Sequence, residues 1–169
     1  MGATMKKYKR SIFIMVLMLV LSTSVFAGDI KSDRETLKNL KGVHVHVQDL
    51  NQDIEQAGLS KNQIRTDVEL KLRLAGIKVL TLIEHYEGKG APYLHIYLDS
   101  HKTEKGEFVY SLSFGIIQEV RLVRNNTITD AITWSISGVG YNNIEGIRAH
   151  IKDRADKFIN DYLSVNPKI

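Results

Sequence analysis

The chain has 169 residues, no cysteine and two prolines, with 43% apolar and 25% charged residues. That length and balance suit one globular domain and exclude collagen-like, low-complexity and disordered chains. The absence of cysteine excludes a disulfide framework, a thiol nucleophile, Cys-ligated zinc and iron–sulfur clusters. The formal charge of +4 comes from the first 27 residues, which hold Lys6, Lys7, Lys9 and Arg10 and no acid; beyond them nineteen basic residues face nineteen acidic ones. A body with balanced charge gives no footing for nucleic-acid binding, and none is expected.

Residues 1–27 read as a secretory signal peptide. The four basic residues form its positive start, Ile12 to Leu21 its apolar run, and Ser22 to Ala27 its small-residue stretch, with cleavage expected between Ala27 and Gly28. The run is shorter than the ~20 residues that cross a bilayer, so no membrane span is expected after its removal. No cysteine follows it, which excludes a lipoprotein anchor. The expected location is the bacterial periplasm or the medium.

Residues 28–41 are polar and read as a flexible arm, with a short helical turn near Arg34 to Leu40, ahead of a single domain over 42–169. Val43, Val45 and Val47 alternate with His44 and His46, the period-two signature of a half-buried strand. Leu59 to Ala75 reads as a helix. Ser60 with Gln63 forms a capping box, Leu59 and Ile64 a staple, and Ile64, Val68, Leu72 and Ala75 one apolar face, while Gly76 suits the left-handed end. Lys78 to Ile83 is short and apolar and reads as a second strand; Glu84 to Pro92 reads as a loop. Tyr93 to Asp99 alternates again, with Tyr93, His95 and Tyr97 opposed to Leu94, Ile96 and Leu98. Phe108 to Leu122 forms a long strand whose wet phase holds Ser111, Ser113, Gly115 and Glu119. A fifth strand sets Ile128, Ile132, Trp134 and Ile136 in the apolar phase against Thr129, Thr133, Ser135 and Ser137. Gly138 to Asn143 reads as a loop, and Asn142 with Glu145 as the cap of a final helix whose stripe is Ile144, Ile147, Ile151, Ala155, Phe158 and Tyr162.

The order β-α-β-β-β-β-α predicts an α+β two-layer sandwich: a mixed, mostly antiparallel five-stranded sheet with both helices on one face and the other face open. Strand, helix, strand at the start would form a parallel crossover, and the last three strands a meander.

The catalytic patterns fail in turn. There is no Gly-x-Ser-x-Gly elbow, and Ser111, Ser113, Ser135 and Ser137 are the wet phase of strands without a positioned base. Gly138-Val139-Gly140 lacks the third glycine and the Lys-Ser/Thr that would cradle a phosphate. Asp67 with Glu69 and Asp153 with Asp156 sit on helix faces, not in a cleft. No cofactor is expected. The remaining chemistry is imidazole: His44 and His46 share one strand face, and if the first and third predicted strands are neighbours His95 joins them in a three-histidine metal site. His85, His101 and His150 fall in a loop, a turn and a polar helix position without ligand spacing. Tyr93 and Tyr97 form an aromatic stripe on the wet face, the kind of surface enriched at protein interfaces.

Two stretches carry a resemblance: Thr66-Asp67-Val68-Glu69 with Lys71-Leu72-Arg73 and Ala75-Gly76-Ile77, and Phe158-Ile159-Asn160-Asp161-Tyr162-Leu163 with Asn166-Pro167. Together with Thr133-Trp134 they resemble an uncharacterised family of small secreted bacterial proteins. The order of elements also resembles the amino-terminal domain of the Tol–Pal β-propeller protein TolB and the lipoprotein activators of penicillin-binding proteins. Those resemblances imply a non-enzymatic domain that binds a protein partner in the envelope. The expected function is thus a non-catalytic interaction module. The alternative is a small metal-binding or metal-dependent protein using His44, His46 and His95, and the third reading is a small-ligand carrier using the open sheet face.

Overall fold

A computed structural model describes residues 31–88 and 90–167. The leader and the Ala27–Gly28 bond lie outside the described residues. Five helices and four strands follow in the order α1 (Lys31–Glu35), β1 (His44–Val47), α2 (Gln52–Gln56), α3 (Lys61–Leu74), α4 (Leu82–Glu87), β2 (Tyr93–Lys102), β3 (Phe108–Arg121), β4 (Ile128–Asn142) and α5 (Ile144–Val165). The sheet order is β1-β2-β3-β4; β1 runs parallel to β2, and the other pairs are antiparallel. The five-stranded expectation is corrected to this four-stranded mixed sheet with five helices.

The missing strand is the segment 78–83. Only Val79 bridges to Val43, with Val43 N donating to the Lys78 carbonyl at 3.0 Å and Leu80 N to that of Val43 at 2.9 Å. Thr81 then opens α4. Its side chain accepts from Glu84 N, and Glu84 accepts from Thr81 N at 2.9 Å. This capping box satisfies two amides that a strand would otherwise have to pair, and the apolar run turns helical. The parallel crossover therefore leads from β1 through α2, α3 and α4 to Tyr93.

The first long helix ends as its sequence dictates. Ser60 and Gln63 close a capping box, Gly76 takes φ +77°, and Ile77 N returns to the Leu72 carbonyl at 2.9 Å. Ile64, Val68 and Leu72 point into the core. The α5 cap is Asn143, one residue later than Asn142, and its side chain accepts from Gly146 N. The α5 stripe of Ile147, Ile151, Ala155, Phe158 and Tyr162 packs beside it under β3 and β4. The two helices are also joined by charge, through the Arg148 fork on Asp67 at 2.6 and 3.0 Å and the Lys71–Asp156 pair. Arg148 holds the Asp67 carboxyl below its ordinary range.

Residues 31–41, read from the sequence as part of the arm, are tied down: Leu37 is fully buried, Asn166 Nδ2 donates to the Leu37 carbonyl at 2.9 Å, and Tyr162 OH donates to that of Leu40 at 2.6 Å. The 138–142 stretch continues β4 instead of forming a loop. A Cβ at Gly140 would lie 2.5 Å from the Tyr110 ring. That glycine makes room for the aromatic beneath it.

One bulge reorders β4. Ile116 pairs with Trp134 but Ile117 pairs with Ile132, which leaves Thr133 as the extra residue. Its carbonyl accepts from Thr36 Oγ1 at 3.1 Å, and its hydroxyl accepts from Gln118 Nε2 at 2.9 Å. Because side chains alternate with period two, one extra residue moves every residue before it to the opposite face. Trp134 and Ile136 stay on the helix side, whereas Ile132, read from the sequence as core, stands on the open face at 63% exposure.

Candidate functional site

The parallel register does what the imidazole pattern requires. His44 sits beside Tyr93 and His46 beside His95, while Val43, Val45 and Val47 enter the core. The rings of His46 and His95 stack with centroids 5.5 Å apart and 15° between planes. Tyr93 meets both edge-on. Tyr97 lies one position further along the same face, in register with Ser113, outside this group.

The fourth wall comes from α4, which folds over the β1 edge onto the open side. His85 stacks on His44 at 5.5 Å and meets Tyr93 edge-on. With Leu82, Tyr86 and Asp130 these side chains line a cavity of about 350 Å³. The sequence pattern missed four of its members, Leu82, His85, Tyr86 and Asp130. His85 and Tyr86 needed the capping box at Thr81 to be read as a helix start. Asp130 reaches the open face through the Thr133 bulge and leaves no periodic signal.

The hydrogen bonds fix one tautomer. His44 Nδ1 lies 3.1 Å from the Leu80 carbonyl, which can only accept, so Nδ1 carries the proton and Nε2 keeps its lone pair in the neutral ring. His85 is buried, and its Nδ1 has no partner in the structure. Partial desolvation by the pocket walls, then the neighbouring His95, Lys61, His44 and Arg65, pushes His46 below the ordinary value of 6.5. Burial does the same to His95. Burial and the Asp130 carboxylate raise the Tyr93 hydroxyl above 10.0, so it stays a neutral donor at physiological pH. Among the described residues, no group of three or more His, Cys, Asp or Glu side chains is placed, in its present rotamers, so that it could hold a metal ion.

A fifth histidine lies on the helix side. Arg154 Nε donates to His150 Nε2 at 3.0 Å, so the proton sits on Nδ1, which donates to the Tyr110 oxygen at 2.9 Å. Burial and Arg154 lower this histidine as well. His46, His95 and His150 therefore titrate below 6.5 in the fold and near 6.5 in the unfolded chain. Below 6.5 the unfolded state binds more protons, so stability falls as pH falls through that window and is insensitive to these groups above it. Urea midpoints measured across that range are expected to drop on acidification. Replacing the three histidines with glutamine is expected to flatten the drop, and an unchanged slope would contradict these assignments.

Beyond the pocket the open face carries apolar side chains. Val109 pairs with Tyr141, Ser111 with Val139 and Ile117 with Ile132, on the side opposite the buried Tyr110, Leu112 and Phe114. Val139 is 82% exposed. Serines 111, 113, 135 and 137 lie between the Val109, Val139 and Tyr141 end and the Ile117–Ile132 pair, which adjoins Tyr93 of the pocket. No helix among the described residues is long and apolar enough to cross a membrane. No protein-family model matches the chain, and no curated protein matches it.

Proposed function

We propose that this chain is a non-catalytic protein-interaction module, exported to the periplasm by its leader, that docks an envelope protein against the open face of its sheet. The observation that carries the reading is the set of outward apolar residues on that face: Val109, Val139 and Tyr141 at one end, Ile132 beside the pocket at the other, and Tyr97 at the level of the serines between. Single exposed apolar residues are ordinary, but several sharing one sheet face around a polar strip mark a surface suited to contact. Aromatic anchors supply much of the energy of such contacts. Ile132 strengthens the argument, because the Thr133 bulge turns it outward from a strand whose other isoleucine near it, Ile136, is partly buried against the core.

The test is cross-linking in intact cells of the full chain tagged at its carboxyl terminus, followed by mass spectrometry of what co-purifies. One specific envelope protein is expected. It should be lost from the folded Ile132→Asp/Val139→Asp double variant and weakened when Tyr93 and Tyr97 are both changed to Ser. Recovery of the same protein by the double variant, or self-cross-links alone, would overturn the reading.

A further inference from the structure

We propose that the imidazole pocket at the β1 edge binds a borderline divalent transition-metal ion, Cu²⁺ most tightly, through His44 and His46 of one strand and His95 of the next. Two histidines two positions apart on a strand have Cα atoms about 6.6 Å apart and side chains on one face, a span that two imidazoles close around one ion at about 2.0 Å per bond. The parallel register adds His95 directly beside His46. The Leu80 carbonyl holds the Nδ1 proton of His44 and leaves Nε2 as the lone pair. Ligating histidines are oriented in this way, by a backbone carbonyl on the far nitrogen.

The donor set disfavours a hard cation. Asp130 is the one carboxylate or ammonium group lining the cavity. Mg²⁺ and Ca²⁺ take oxygen ligands, while imidazole selects zinc, copper and nickel, with copper strongest in the divalent series. His85 closes the rear of the pocket with a buried Nδ1 that has no partner. The rings of His46 and His95 now stack instead of converging, so binding turns them about χ2 in the open cavity and ends the stacking.

The inference is independent of the docking reading, because the metal is tested on the isolated chain and the partner in cells. The exported chain, purified without a polyhistidine tag, is titrated with Cu²⁺ by calorimetry at neutral pH and examined by electron paramagnetic resonance. One ion per chain is expected, with nitrogen hyperfine structure in the spectrum. His46→Ala and His44→Ala should each weaken binding by about tenfold or more, and His101→Ala, on the same face but at its far end, should leave it unchanged. His46 is exposed, so its variant keeps the fold. Absence of binding at micromolar concentration, an oxygen-only spectrum, or equal affinity in the His44→Ala/His46→Ala double variant would overturn the proposal.

Discussion

Phe158→Ala is expected to cost about 3–5 kcal/mol of folding stability, the largest single effect foreseen for this chain. Phe158 is fully buried on α5. Its ring meets Trp134 of β4 edge-on at 5.2 Å and lies against Tyr162 at 6.2 Å. Truncation therefore removes the transfer energy of a whole ring, leaves a cavity between helix and sheet, and deletes two aromatic contacts worth about 0.5–1.5 kcal/mol each beyond area. A domain of this size has about 5–15 kcal/mol in total, so the variant would lose a large part of its margin. Equilibrium urea unfolding measures it; a midpoint close to wild type with an unchanged slope would show that this region repacks freely.

Asp161→Ala is expected to have the second-largest effect. The carboxylate is buried, accepts from Trp134 Nε1 at 3.0 Å and pairs with Lys157 at 2.6 Å. The Lys157 side chain is partly exposed, so water can replace its partner. The indole N–H has no such recourse. Leaving a buried donor unpaired costs about 1–3 kcal/mol. Asp161→Asn keeps an oxygen for the indole and should recover most of that loss. Equal destabilisation by both variants would mean that the Lys157 pair, and not the indole bond, carries the effect. Thr133-Trp134 and the Phe158 to Leu163 stretch thus meet in one structural joint between β4 and α5.

Much of the sheet was legible in the sequence because period two is unambiguous where one face is buried. The Val43–Val47 and Tyr93–Asp99 alternations placed His44, His46 and His95 on the wet phase, and there they lie. The helix over Lys61–Leu74 was legible because its box, stripe and terminal glycine agree. The failures share a cause: a short-range signal that hydrophobic pattern does not contain. Leu80 to Ile83 is apolar whether strand or helix, and the hydrogen bonds between Thr81 and Glu84 decide between them. The Thr133 bulge is held by Thr36 and Gln118, residues remote in sequence, so the phase change at Ile132 could not be seen locally. Gly138 and Gly140 looked like a loop because the close approach of the Tyr110 ring that requires Gly140 exists only in the fold. The site inherited these limits: its strand histidines were readable, while His85 and Asp130 were not.

The central claim is that the open face of the sheet is occupied by a protein in the cell. The most direct measurement places a photo-cross-linking amino acid at Val139 in one strain and at Leu74 in another, each side chain being well exposed, the first on the open face and the second at the end of α3. Irradiation of intact cells is expected to give one adduct with an envelope protein from position 139 and none from position 74. No adduct at 139, or the same adducts from both positions, would contradict the claim.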